Sequence, residues 1–253
     1  MCLILFAYKT HPGYKLVVAA NRDEFYSRPT EPAEFWEDNP SILAGRDLTA
    51  GGTWMGINKR GKISMLTNYR DLKNIRQNAP SRGHLVSDFL ENDETADKYL
   101  HQVSEKGNLY NGFNLVCGTV DELYYYGNYR AGVHPVTSGY HGLSNALLNT
   151  QWPKVDKGLN KLRAILKSER IDPEQLFDAL YDDIKAPDHL LPDTGVGLER
   201  ESMLSPMFIK SANYGSRCST VLLVDHDNRV QYLERTYNIP EFTFTDRVFE
   251  MKL

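Results

Sequence analysis

The chain has 253 residues, 41% hydrophobic and 25% charged, with a formal net charge of -4. That length supports a buried core and is read as a single domain over 1–253, and the absence of basic excess excludes a nucleic-acid-binding surface built on charge. No apolar run approaches the roughly 18–20 residues of a membrane-spanning helix, and the apolar run at 2–7 is too short for a signal-peptide core.

The cysteines Cys2, Cys117 and Cys218 have no regular spacing. They do not form a disulfide framework and fit a reducing compartment, so the expected location is cytoplasmic. Fifteen Tyr and ten Phe favour a strand-rich chain.

Residues 2–8 and 14–20 read as a hairpin of two apolar strands around His11-Pro12-Gly13. The second runs into four polar residues, Asn21-Arg22-Asp23-Glu24, read as the rim of a site beyond the strand end. Residues 25–38 read as an ordered loop, with a short strand near Ile42-Leu43-Ala44. A second hairpin follows over 51–58 and 62–70, with its turn at Lys59-Arg60-Gly61, and then a polar loop at 72–81. Ser81 is the expected N-cap of a helix at 82–90, and Asp93 of a second at 94–106. Strands are predicted at 113–119, 123–127 and 132–137, with a short one at 139–145. Trp152-Pro153 opens a helix to about 168 and Asp172-Pro173 another to 181. Residues 185–200 read as irregular. Strands at 219–224, 230–236 and 243–244 close the chain. Strands in hairpins and helices in separate pairs predict antiparallel sheets under helix layers, an α+β fold.

Cys2 is the first candidate for chemistry. A cysteine exposed by removal of Met1 would carry a thiol and a free α-amine, which has the basicity to take the thiol proton. Its competing role is a small buried hydrophobe at a strand start. Arg22 can lower the thiol pKa or hold a substrate carboxylate; otherwise its cluster is a solvated loop with an Arg–carboxylate pair. Asn68 and Asn145 end apolar strands, where a side-chain amide can donate to a developing oxyanion or simply form a turn. Arg217 precedes the apolar strand at 219–224 and can reach the same sheet end or lie on the surface. The seven histidines show no metal-ligand spacing, and Gly51-Gly52 is not a phosphate loop, so no metal or resident cofactor is expected.

The motifs Met1-Cys2, Asn21-Arg22-Asp23-Glu24-Phe25, Arg28-Pro29, Gly45-Arg46-Asp47, Gly51-Gly52-Thr53-Trp54, Gly56-Ile57-Asn58, Thr67-Asn68-Tyr69-Arg70, Ser144-Asn145 and Gly215-Ser216-Arg217 span nearly the whole chain. Together they resemble the transport and Golgi organization protein 2 family, named also for its Asn-Arg-Asp-Glu motif. A more distant resemblance is to N-terminal nucleophile cysteine hydrolases of the penicillin V acylase and bile-salt hydrolase type. On it, Gly56-Ile57-Asn58-Lys59-Arg60-Gly61, Asn68 and Leu143-Ser144-Asn145-Ala146 match in order. Those hydrolases place Arg and Asp three apart at the end of the second strand, whereas Arg22 and Asp23 are adjacent here.

The resemblance implies a four-layer αββα sandwich and an amide hydrolase acting on a small molecule. Cys2 would be nucleophile, with Arg22, Asp23, Asn68, Asn145 and Arg217 around it. Asn21, Glu24, Trp54, Tyr69 and Arg70 are the expected substrate contacts. The family resemblance also implies an alternative, a carrier of haem as cargo or a secretory-pathway factor using the same pocket. No haem-attachment motif is present.

Overall fold

The computed structural model describes residues 2–253 of the chain; the fate of Met1 lies outside them. The elements in order are β1 (Cys2–Tyr8), β2 (Tyr14–Phe25), β3 (Thr30–Phe35), β4 (Ile42–Asp47), β5 (Met55–Asn58) and β6 (Lys62–Asn68). There follow α1 (His84–Glu91), α2 (Ala96–Lys106), β7 (Phe113–Thr119), β8 (Leu123–Gly127), β9 (His134–Pro135) and β10 (Gly139–Leu143). The chain closes with α3 (Pro153–Ile165), α4 (Pro173–Leu180), α5 (Leu198–Met203), β11 (Tyr214–Asp225), β12 (Arg229–Asn238) and β13 (Thr243–Lys252).

The strands form two antiparallel sheets. One runs β10-β1-β2-β11-β12-β13 and the other runs β3 to β9 in sequence order. Because side chains alternate along a strand, each sheet presents two apolar faces. Ile4, Phe6, Val18 and Leu222 meet Met55, Ile63, Val116 and Tyr125 between the sheets. Leu5, Val17, Ala19 and Val221 face α3 and α4 through Leu159, Leu162 and Phe177. Leu66, Phe113 and Leu115 face α1 and α2 through Leu85, Phe89 and Leu100. The result is the α+β sandwich of four layers, αββα. Its near-continuous apolar strands are buried on both faces, and each fully buried large side chain contributes about 1.5–3 kcal/mol.

Several expectations are corrected. The Asn-Arg-Asp-Glu segment is not a loop: β2 continues to Phe25, because β11 supplies partners as far as Phe25↔Tyr214. Residues 30–35 form edge strand β3, which tolerates Pro32 because an edge strand leaves one side of its backbone unpaired. Neither Ser81 nor Asp93 caps a helix: α1 starts after Gly83, α2 starts after Thr95, and neither start has a side-chain cap. Asp93 instead pairs with Arg60. Finally, α5 lies within the stretch read as irregular, and β13 runs ten residues rather than two. Asp172 does cap α4, accepting from the Glu174 amide at 3.0 Å.

The start of α1 is fixed by backbone contact. The Thr53 amide donates to the Gly83 carbonyl at 3.3 Å, and a Cβ on Gly52 would stand 2.5 Å from the Gly83 carbonyl carbon and 2.8 Å from the His84 amide nitrogen. Gly52→Ala is therefore expected to destabilise the fold by about 1–3 kcal/mol, the range for overpacking against atoms that cannot rotate away. A denaturation midpoint equal to that of the wild type would refute this.

Candidate active site

A cavity of about 530 Å³ opens where the ends of β1, β2, β6 and β11 meet the loops before β5 and α1. Its walls include Cys2, Arg22, Asp23, Glu24, Trp54, Asn68 and Arg217. Six of these seven are positioned by strand ends, so the sheets set the geometry.

The centre is a register. Arg22 on β2 stands opposite Cys2 on β1 and, on its other side, opposite Cys218 on β11. All three side chains face between the sheets, in phase with Ile4, Ala20 and Thr220. Two strand spacings separate the cysteine backbones by about 10 Å, beyond the roughly 4.4–6.8 Å of a disulfide. Both thiols are free. Burial pushes the Cys2 thiol above its ordinary value; the Arg22 guanidinium and the Asp23 backbone N–H work in the opposite direction.

Adjacency sends Asp23 to the other face. Its Oδ1 accepts from the Ser216 hydroxyl at 2.6 Å, and its charge faces Lys154 on α3. Lys154 is buried, donates to the Leu204 carbonyl at 3.0 Å and is pushed down to about 8 by burial. Burial pushes Asp23 up. Desolvation therefore outweighs attraction on both sides, and each group is moved toward its neutral form.

Arg217 occupies the extra position of a β-bulge between Ser216↔Asp23 and Cys218↔Arg22. The bulge turns it out of the ladder to donate to the Phe25 and Arg28 carbonyls and the Thr30 hydroxyl. Arg28 in turn makes a forked pair with Asp47. This clasp fixes the β2–β3 connection along the cavity.

The other candidates separate. Asn68 lines the cavity, and its carbonyl accepts from the Asn145 side chain at 3.0 Å. Asn145 lies behind it, outside the cavity wall. The Ser144 hydroxyl is 3.3 Å from the Cys2 carbonyl. Three expected substrate contacts are elsewhere. Asn21 alternates to the helix side, where it donates to the Leu180 and Met207 carbonyls. Tyr69 stacks on Tyr129 at 4.0 Å. Arg70 forms a buried pair with Glu201 at 2.5 Å and lies over Trp152.

Several cavity groups were not anticipated. Glu234 is buried, accepts from the Ala33 amide at 2.6 Å and is pushed up by burial. It shares the phase of Val230 and Tyr232 on β12, so a carboxylate on a buried stripe was its readable signal. Lys154, behind the cavity rather than in its wall, likewise falls in phase with Gly158 and Leu162 on α3. Arg82 had no such signal, since it lies in the turn before α1. No group of three or more His, Cys, Asp or Glu side chains able to hold a metal ion occurs among the described residues.

Known structures share this architecture. A variant of conjugated bile acid hydrolase from Clostridium perfringens superposes with a TM-score of 0.53 at 9% identity, covering 100% of this chain and 97% of that one. The Caenorhabditis elegans N-acylethanolamine-hydrolyzing acid amidase ortholog gives 0.50 at 11% identity, covering 88% and 92%. At such identities the likeness is one of fold, and the fold is that of the N-terminal nucleophile hydrolases. Residues 1–239 match the family model for Transport and Golgi organisation 2. The human Transport and Golgi organization protein 2 homolog is 40% identical over 258 residues, 93% of each chain. The Drosophila melanogaster Transport and Golgi organization protein 2 is 29% identical, covering 93% of this chain and 92% of that one. The chain belongs to the transport and Golgi organisation 2 family. No helix among the described residues is long and apolar enough to cross a membrane.

Lys154 yields a signed pH dependence. Its folded value of about 8 lies below the ordinary 10.5, so between these the unfolded chain binds more protons and the Lys154 contribution to stability rises with pH. From pH 7 to 10 wild type is expected to gain about 2 kcal/mol relative to Lys154→Met. Urea unfolding at the two pH values checks this, and a constant difference between the proteins would contradict it.

Proposed function

We propose that the chain is a cysteine N-terminal nucleophile hydrolase that cleaves a carbon–nitrogen bond of a small amide. The observation that carries the reading is Cys2 in the cavity wall, opposite Arg22 in the register, at the end of a sandwich with this fold. With Met1 removed, the α-amine of Cys2 takes the thiol proton and Sγ attacks the amide carbonyl. The Asn68 side chain donates to the oxyanion, with Asn145 holding the Asn68 backbone from behind. Arg22 supplies positive charge beside the sulfur. Collapse breaks the C–N bond, and the ammonium returns its proton to the leaving amine. Water then cleaves the thioester, releasing the acid and restoring the thiol.

Asp23 and Lys154 lie behind this centre, a buried carboxyl and a buried amine facing one another. The three free, buried cysteines support a reducing, cytoplasmic setting.

A second reading is a non-catalytic carrier or secretory-pathway factor that uses the same cavity; the name that the relatives carry favours the secretory-pathway role, and haem as cargo rests on the family resemblance alone. The ionisable wall supports hydrolysis of a polar molecule better than enclosure of a largely apolar macrocycle.

Protein from its natural host is expected to begin at Cys2 by intact mass. Cys2→Ala is expected to abolish amidase turnover, and Asn68→Ala to lower kcat by about 10²–10³-fold. Quantitative retention of Met1 removes the mechanism. A saturable Soret shift with haem, together with no turnover, favours the carrier.

A further inference from the structure

A second cavity, of about 170 Å³, lies at the start of α3, where the segment 184–187 closes over it beside Ser205 and Met207. Its charged wall is entirely cationic: Lys154, Lys157 and Lys185 line it, and no Asp or Glu does. Lys154 is 4% exposed and donates to the Leu204 carbonyl at 3.0 Å. Lys157 is half-buried and Lys185 exposed. The Ser205 hydroxyl is committed, since it accepts from the Ala186 amide at 2.9 Å and donates to the Ser202 carbonyl at 2.8 Å. Gathering ammoniums around a partly dry cavity is unfavourable unless an anion balances them.

The surrounding acids do not supply that balance. Lys154 faces Asp23, and this pair adds no net charge whether both groups are ionised or both are neutral. Arg70 and Glu201, which Lys154 also senses, pair with each other at 2.5 Å. Asp182 accepts from Lys157 at 2.7 Å and from Lys161 at 2.6 Å, so one carboxylate serves two ammoniums. Asp183 is taken by Lys210 at 3.0 Å. Lys157, Lys161 and Lys185 therefore stand against Asp182 alone, three positive charges against one negative.

We propose that this cavity binds a phosphomonoester dianion, held by the Lys154, Lys157 and Lys185 ammoniums with its ester carbons against Ile184 and Met207. Two negative charges match the excess, and lysine is an established phosphate partner as a point charge. A volume of about 170 Å³ admits a phosphate and a few carbons, and is below that of a site for a drug-sized ligand. The cavity opens among the helices on the outer side of the first sheet, whereas Cys2 faces between the sheets, so the proposal does not depend on Cys2 being a nucleophile.

The test is calorimetric titration of the full chain with ethyl phosphate and with dimethyl phosphate. It is run at constant ionic strength and about pH 7.5, where a monoester with a second pKa of about 6 is a dianion. Ethyl phosphate is expected to bind with a Kd of about 1 mM or tighter, and the singly charged diester about tenfold more weakly. Lys157→Ala with Lys185→Ala should weaken ethyl phosphate about tenfold or more, while Lys157→Arg with Lys185→Arg should retain it. Arg82→Met, in the wall of the larger cavity, should leave it unchanged. Vesicles of phosphatidylcholine with and without phosphatidic acid distinguish the source: binding that needs phosphatidic acid and is lost in the double alanine variant assigns the phosphate to a lipid headgroup. No saturable binding of either the soluble monoester or the vesicles overturns the proposal. So does equal affinity for monoester and diester, binding untouched by the double alanine variant, or binding lost with Arg82→Met.

Discussion

Everything at the site depends on the lateral register of β1, β2 and β11. Cys2, Arg22 and Cys218 share a line across three strands because Ile4 pairs with Ala20, Phe6 with Val18 and Val221 with Ala19 further down. Those apolar pairs are buried on both faces, so a slip of one residue would move every side chain of a strand to the wrong layer. The packed core thus holds the reactive end in place. The bulge at Arg217 interrupts this register at the site end, and it frees a long side chain without disturbing the pairs on either side.

The layers were legible because their cause is local. Apolar runs at 2–7 and 14–20, the hairpin turn at 59–61 and the Pro-opened helices at 153 and 173 each carry their own signal. Boundaries failed where tertiary pairing overrode composition. Asn21-Arg22-Asp23-Glu24 reads as a loop to any local rule and becomes strand only because β11 lies beside it. Ser81 and Asp93 are good caps in isolation, but close backbone contact at Gly52 and a pair with Arg60 decided those positions instead.

For the site, the sequence located the cavity wall better than its depth. Cys2, Arg22, Glu24, Trp54, Asn68 and Arg217 meet in space, whereas Asn21 and Arg70 turn into the helix side. Strand alternation explains Asn21, which is one residue out of phase with Arg22. Arg70 lies just past β6, and only the fold reveals Glu201 as its partner. That pair is nearly dry, and in such a setting removing one ion is far more damaging than the pair is stabilising. It ties the segment around α5 to the end of the same hairpin that carries Asn68.

The spacing of the two sulfurs has a consequence for redox chemistry. Cys2 and Cys218 border one cavity, yet Arg22 holds their backbones too far apart to join. Oxidation of Cys2 by peroxide would give a sulfenic acid with no resolving thiol within reach on its own sheet. Recovery would require an outside thiol such as glutathione. Oxidised Cys2 would therefore be restored by a thiol from outside the protein, rather than by cycling through an internal disulfide with Cys218.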